Sequence, residues 1–187
     1  MAEHATGAQS RAIDATDSCQ TALEGILGAY MRLFDVQREC ECAGRSFSAY
    51  AEYHEYDEQY VLVKRAKLWE AHVHEYAYFQ IVDRLDGRAF DELLGFMKTD
   101  ALGRVDPEPD HMTSYLSLVI VTNSMDDQLA RTVRRTRFRK DFRLGIRGWA
   151  ELKLAVVDVS GQRVITNPAG ESMEDPLKAG LARAGVL

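Results

Sequence analysis

RSFSAYAEYHEYDEQYVLVKRAKLWEAHVHEYAYFQIVDRL, residues 45–85, is the stretch that decides the fold. β-Branched and aromatic residues are dense in it, and its hydrophobic period is two, the repeat of a half-buried strand. A first strand is expected from Phe47 to His54. It would turn Phe47, Ala49, Ala51 and Tyr53 to one face and Ser48, Tyr50, Glu52 and His54 to the other. The polar cluster Glu55 to Gln59 reads as a turn. A second strand can run from Tyr60 to about Ala71 and a third from about Glu75 to Val82, with a turn near Val73. Short connections make this an antiparallel meander. Six of the eight tyrosines, Tyr50, Tyr53, Tyr56, Tyr60, Tyr76 and Tyr78, fall within it. A stacking floor for nucleobases would need them on one face. They occupy both, which favours cross-strand packing.

Upstream, Leu23, Ile26, Leu27, Tyr30, Met31 and Phe34 recur at helical spacing, so a helix is expected over Cys19 to Glu39, capped by Asp17 or Ser18. Residues 1–18 are small and polar and read as a disordered tail. Downstream, Phe90, Leu93, Leu94, Met97 and Ala101 give a second helix that ends near Val105. Asp106-Pro107-Glu108-Pro109 then stiffens the connection. Tyr115 to Val121 is apolar apart from Ser117, as in a strand covered on both faces at the centre of a sheet. A third helix begins at Met125 behind Asn123 or Ser124. A hairpin follows, from Trp149 to Val159 and back through Arg163 to Thr166. Residues 168–187 read as a loosely ordered tail with a frayed helix near Leu177 to Ala182. The expectation is a single α+β domain over 19–167 with a mostly antiparallel sheet.

At 187 residues and 46% hydrophobic composition the chain can bury one substantial core. No apolar run approaches the roughly 20 residues that span a bilayer, and the first residues carry no apolar signal core, so no membrane role is expected and the cytoplasm is the expected compartment. Three cysteines, Cys19, Cys40 and Cys42, make an odd set that fits free thiols better than a disulfide framework or a zinc site. No cofactor is expected.

Charge is unevenly distributed. Between Arg131 and Arg147 stand eight cations and one acid, a formal +7, while the remainder holds 15 cations against 28 acids, or −13. On a helix starting at Met125, the residues Met125, Leu129, Val133 and Thr136 gather within an arc of about 80°, with Arg131, Arg134, Arg135 and Arg139 nearly opposite. Those four arginines would form a binding surface for an acidic macromolecule, a nucleic acid or a second copy of the chain, unless acids such as Asp57 or Glu58 satisfy them internally.

Two catalytic patterns compete with that reading. Glu151-Leu152-Lys153 places an acid and a lysine on one strand face, half of the signature of a metal-dependent nuclease, for which Asp141 or Asp158 would supply the second carboxylate. His72 and His74, with Glu52 or His54 from a neighbouring strand, could hold zinc or iron if the strand is regular. His111 stands alone after the prolines. No phosphate loop, nucleophile elbow or paired-cysteine motif appears.

Tyr60 to Trp69, Asp110-His111-Met112-Thr113, Phe138-Arg139-Lys140 and Gly145-Ile146-Arg147-Gly148-Trp149, in that order, resemble a family of single-domain proteins of archaea and anaerobic bacteria classed as a domain of unknown function. The resemblance covers about residues 20 to 170. It implies no activity, cofactor or catalytic residue.

Overall fold

The computed structural model describes residues 3–54, 72–107 and 111–187. Helix α1 (Glu3–Tyr30) buries Cys19, Ala22, Leu23, Ile26, Leu27 and Tyr30 along one stripe. It starts well before the expected Cys19 and stops nine residues before Glu39. The reason for the early stop is a strand with little apolar content: β1 (Asp35–Cys42) pairs antiparallel with β2 (Arg45–His54). Ala43 and Gly44 join them with φ of 50° and 75°, the two left-handed positions of a tight hairpin turn.

Strand β3 (His72–Leu85) pairs antiparallel with β2. It begins at His72, where a turn near Val73 was expected. The strand expected over Tyr60 to Ala71 lies outside the described residues. Asp86 caps helix α2 (Gly87–Phe96), its carboxylate accepting the Ala89 N–H at 2.8 Å. A π turn (Met97–Ala101) and a 3-10 turn (Leu102–Arg104) carry the helix on towards Val105.

Strand β4 (His111–Met125) then lies parallel to β3. Asp126 caps α3 (Asp127–Arg135) by accepting the Leu129 N–H at 2.7 Å, a role expected of Asn123 or Ser124. After the short β5 (Arg139–Asp141), strand β6 (Trp149–Asp158) runs parallel to β4, and β7 (Arg163–Thr166) returns antiparallel along it.

The seven strands lie in the order β1-β2-β3-β4-β6-β5, with β7 also on β6. The sheet is therefore mixed, which corrects the expectation of a mostly antiparallel one; the α+β class stands. The cause is geometric. A helix interrupts each of the connections β3 to β4 and β4 to β6, bringing the chain back to the end where the previous strand began. Strand β4, with parallel neighbours on both sides, is central, and Leu116, Leu118, Val119, Ile120 and Val121 are all buried.

Helices α2 and α3 cover one face of the sheet through Phe90, Leu93, Phe96, Leu129 and Val133. On the other face α1 is joined by α4 (Glu174–Arg183), which buries Leu177 and Leu181. The segment 168–187, expected to be loose, is thus part of the packing. Gly25 of α1 and Gly180 of α4 let the helices touch. A Cβ on Gly180 would stand 2.7 Å from the Gly25 carbonyl, and one on Gly25 would stand 2.6 Å from the Gly180 carbonyl. The buried Asn167 side chain adds a rung beyond β7: it accepts the Leu154 N–H at 2.9 Å and donates to the Leu152 carbonyl at 2.9 Å.

Candidate functional site

The helix carrying the basic run is amphipathic as its sequence dictates. Leu129, Ala130 and Val133 turn inward, and Arg131, Arg134 and Arg135 are exposed. Arg131 Nε donates to the Asp127 carbonyl at 3.4 Å along the helix. Asp127 itself is held below the ordinary aspartate range, first by its hydrogen bond and charge pairing with Arg163 and then by the charges of Arg131 and Arg134.

Arg139 departs from expectation. The helix has ended, and Arg139 sits on β5, ion-paired with Asp141 at 3.0 Å and stacked with its guanidinium carbon 4.4 Å from the Trp149 ring centroid. Three of the four arginines therefore form the face, and the fourth is partly occupied by the chain's own carboxylate. Lys140 on β5 and Arg143 beyond it are exposed, while Arg147 donates to the Pro107 carbonyl at 3.0 Å. The turn between them presents Leu144, 98% exposed, and Ile146, 80% exposed.

The acid and lysine of β6 share a sheet face, as their spacing requires. Leu152 and Leu154 point to the α2 and α3 side, and Ala155 and Val157 to the α1 side. Glu151 and Lys153, in phase with the latter, take the α1 side. Register then supplies a partner the sequence concealed. Ser117 is aligned with Ala77 and Lys153, and Tyr115 with Glu75 and Glu151. Lys153 Nζ is 2.8 Å from Glu75 Oε2 and 3.8 Å from the Tyr115 ring centroid, and Ser117 Oγ donates to Glu75 Oε1 at 2.6 Å. Lys153 and Glu75 side chains are each only 13% exposed.

Neither expected second carboxylate joins this cluster. Asp158 stands seven residues along β6 from Glu151, about 23 Å away for an extended chain. It is 3% exposed and binds Arg163 Nε at 2.8 Å and the Gly161 N–H at 3.0 Å. Asp141 is held by Arg139. Glu75, the described carboxylate that does converge, has both oxygens engaged, so the described residues do not fit a two-carboxylate metal clasp. Among the described residues no three His, Cys, Asp or Glu side chains gather as a metal would require.

Backbone register brings the histidines together in pairs. His54 pairs with His74 across β2 and β3, and His72 with His111 across β3 and β4. The side chains of His54, His72 and His111 lie outside the described residues. His74 lies near Tyr76, their ring centroids 6.4 Å apart.

The three thiols are free and buried. Cys40 and Cys42 share the inner face of β1 with sulfurs 3.9 Å apart, and Arg104 Nη1 approaches Cys42 Sγ at 3.5 Å. Burial, and then the neighbouring Cys42, push the Cys40 thiol up to about 11; burial pushes Cys19 up to about 11 as well. Both stay protonated and unreactive near neutral pH.

Among the described residues no helix is long and apolar enough to cross a membrane. Residues 18–179, which include each of the basic and acidic groups above, match the sequence model of a domain of unknown function, DUF8052. The chain belongs to that family. No curated protein and no solved structure matches it.

Proposed function

We propose that the chain is a non-catalytic cytoplasmic binding module whose contact surface is the arginine face of α3 together with the basic strand and loop that follow. One observation carries this reading: α3 buries Leu129, Ala130 and Val133 and leaves Arg131, Arg134 and Arg135 in water. Keeping several guanidinium groups side by side costs mutual repulsion, which an acidic partner relieves. The net charge of −6 opposes indiscriminate attachment to polyanions and favours a partner that meets this face alone. A second copy could dock here only by presenting acids, because two such faces repel each other across a twofold axis.

The test is retention on an immobilised polyanion such as heparin. Arg134→Glu with Arg135→Glu should leave circular dichroism unchanged and bring elution to markedly lower salt. Unchanged retention of that folded variant defeats the proposal.

The alternative, a metal-dependent nuclease centred on Glu151 and Lys153, draws support from their shared face and from Glu75 opposite. Among the described residues it lacks two carboxylates free for a metal. Cleavage of DNA or RNA in magnesium or manganese that disappears in Glu151→Ala would revive it.

A further inference from the structure

The loop between β5 and β6 does something that its own chemistry resists. Arg143, Leu144 and Gly145 occupy left-handed backbone in succession, with φ of 48°, 57° and 84°. For the two residues that carry a Cβ this conformation is costly. The result is to hold Leu144 and Ile146 almost wholly in water, 98% and 80% exposed, at the tip of the molecule's most basic segment. Hydrogen bonds from Phe142 N to Gly148 O at 3.0 Å, Gly145 N to Phe142 O at 3.0 Å and Ile146 N to Arg143 O at 3.2 Å fix the turn internally. Two aliphatic side chains are thus presented in a set shape, with Lys140 and Arg143 exposed beside them and the α3 arginines on the preceding helix.

We infer that this loop docks the protein on an anionic lipid surface, Leu144 and Ile146 entering the boundary between headgroups and acyl chains while the surrounding cations meet lipid phosphates and carboxylates. The inference rests on the binding-module reading and deepens it by naming the partner. A nucleic acid satisfies the arginines but offers an aliphatic tip no gain. A folded protein would need a cavity matched to a convex projection, whereas a bilayer yields around it. Apolar area leaving water and cations near acidic lipid are the two contributions that hold peripheral proteins to membranes. No spanning segment is needed. The acidic remainder of the chain is repelled by the same surface, so attachment occurs tip first and weakens with salt.

Sedimentation of the full chain with vesicles containing about 30 mol % phosphatidylserine in phosphatidylcholine, against phosphatidylcholine alone, at about 0.1 M salt, tests this directly. Binding should require the anionic lipid. Leu144→Ser with Ile146→Ser, which keeps every charge, should weaken it on the order of 10- to 100-fold while leaving heparin retention unchanged. In Leu144→Trp, the new indole should be quenched by brominated acyl chains. Heparin retention without vesicle binding overturns this inference and leaves the binding module standing. Loss of both sinks the two together. Vesicle binding that survives the double serine variant, with no quenching in Leu144→Trp, refutes insertion of the tip.

Discussion

Replacing Lys153 by methionine removes the ammonium while keeping most of the side chain that packs over Tyr115. Glu75 is then left 13% exposed with the Ser117 hydroxyl as its remaining partner in the cluster. Deleting one member of a fully buried ion pair costs about 3 to 5 kcal/mol, and the residual exposure of this pair places the loss nearer about 2 to 4 kcal/mol. For a domain of this size a urea m-value of about 2 to 3 kcal/mol/M turns that loss into a midpoint roughly 0.7 to 2 M lower. Glu75→Leu alone should be similarly harmful, because it strands the ammonium. The double variant Lys153→Met, Glu75→Leu removes both charges and should return to within about 1 kcal/mol of the parent, since two apolar groups replace a pair whose desolvation offset much of its attraction. The readout is a double-mutant cycle from urea unfolding followed by circular dichroism. A single variant with an unchanged midpoint, or strictly additive losses, would show that the pair is not the lock across β3, β4 and β6 that its geometry describes.

Two further outcomes follow from buried groups. Asn167→Ala should cost about 2 to 4 kcal/mol, because the Leu154 N–H and the Leu152 carbonyl lose their partner inside the protein; a thermal shift of only a degree or two would contradict this. Stability should also fall as pH rises from about 9 to about 11. The unfolded Cys19 and Cys40 thiols ionise near 9, whereas the folded ones hold their protons to about 11, so the folded state binds more protons in that window and loses ground to the unfolded state. Cys19→Ala with Cys40→Ala should flatten the decline, as read by urea midpoints at each pH.

Strand β4 was legible because its residues are buried on both faces and so form an apolar run broken only by Ser117, and the hairpin of β6 and β7 was legible as two strand-like runs, Trp149 to Val159 and Arg163 to Thr166, with a short turn between them. Strand β1 was not. In Asp35 to Cys42 only Cys40 and Cys42 are fully buried, and an edge strand exposing Asp35, Arg38, Glu39 and Glu41 leaves no period-two signal. The apolar spacing of α1 continues past Tyr30 through Met31 and Phe34, up to the start of the strand. Parallel pairing was hidden for another reason: alternation shows which face a residue takes, not which distant strand lies beside it. The same gap concealed Glu75. Lys153 and Glu75 are 78 positions apart and meet only through the registers on either side of β4. The arginine face of α3 was readable from helical periodicity alone, but Arg139 was not, because Thr136 caps the helix and the chain turns into β5.

Helix α1 packs on the sheet beside α4, in one buried cluster with Phe79 of β3, Val119 and Val121 of β4, Val157 of β6 and Leu177 and Leu181 of α4. A ribosome delivers this stripe first and its last covering residues more than 150 positions later. Until then Leu23, Ile26 and Leu27 have no finished home, and the long-range parallel pairings they await are slow to form. Until Leu181 is made the nascent chain carries an uncovered amphipathic helix, and exposed apolar surface of that kind is what makes incompletely folded chains prone to aggregate.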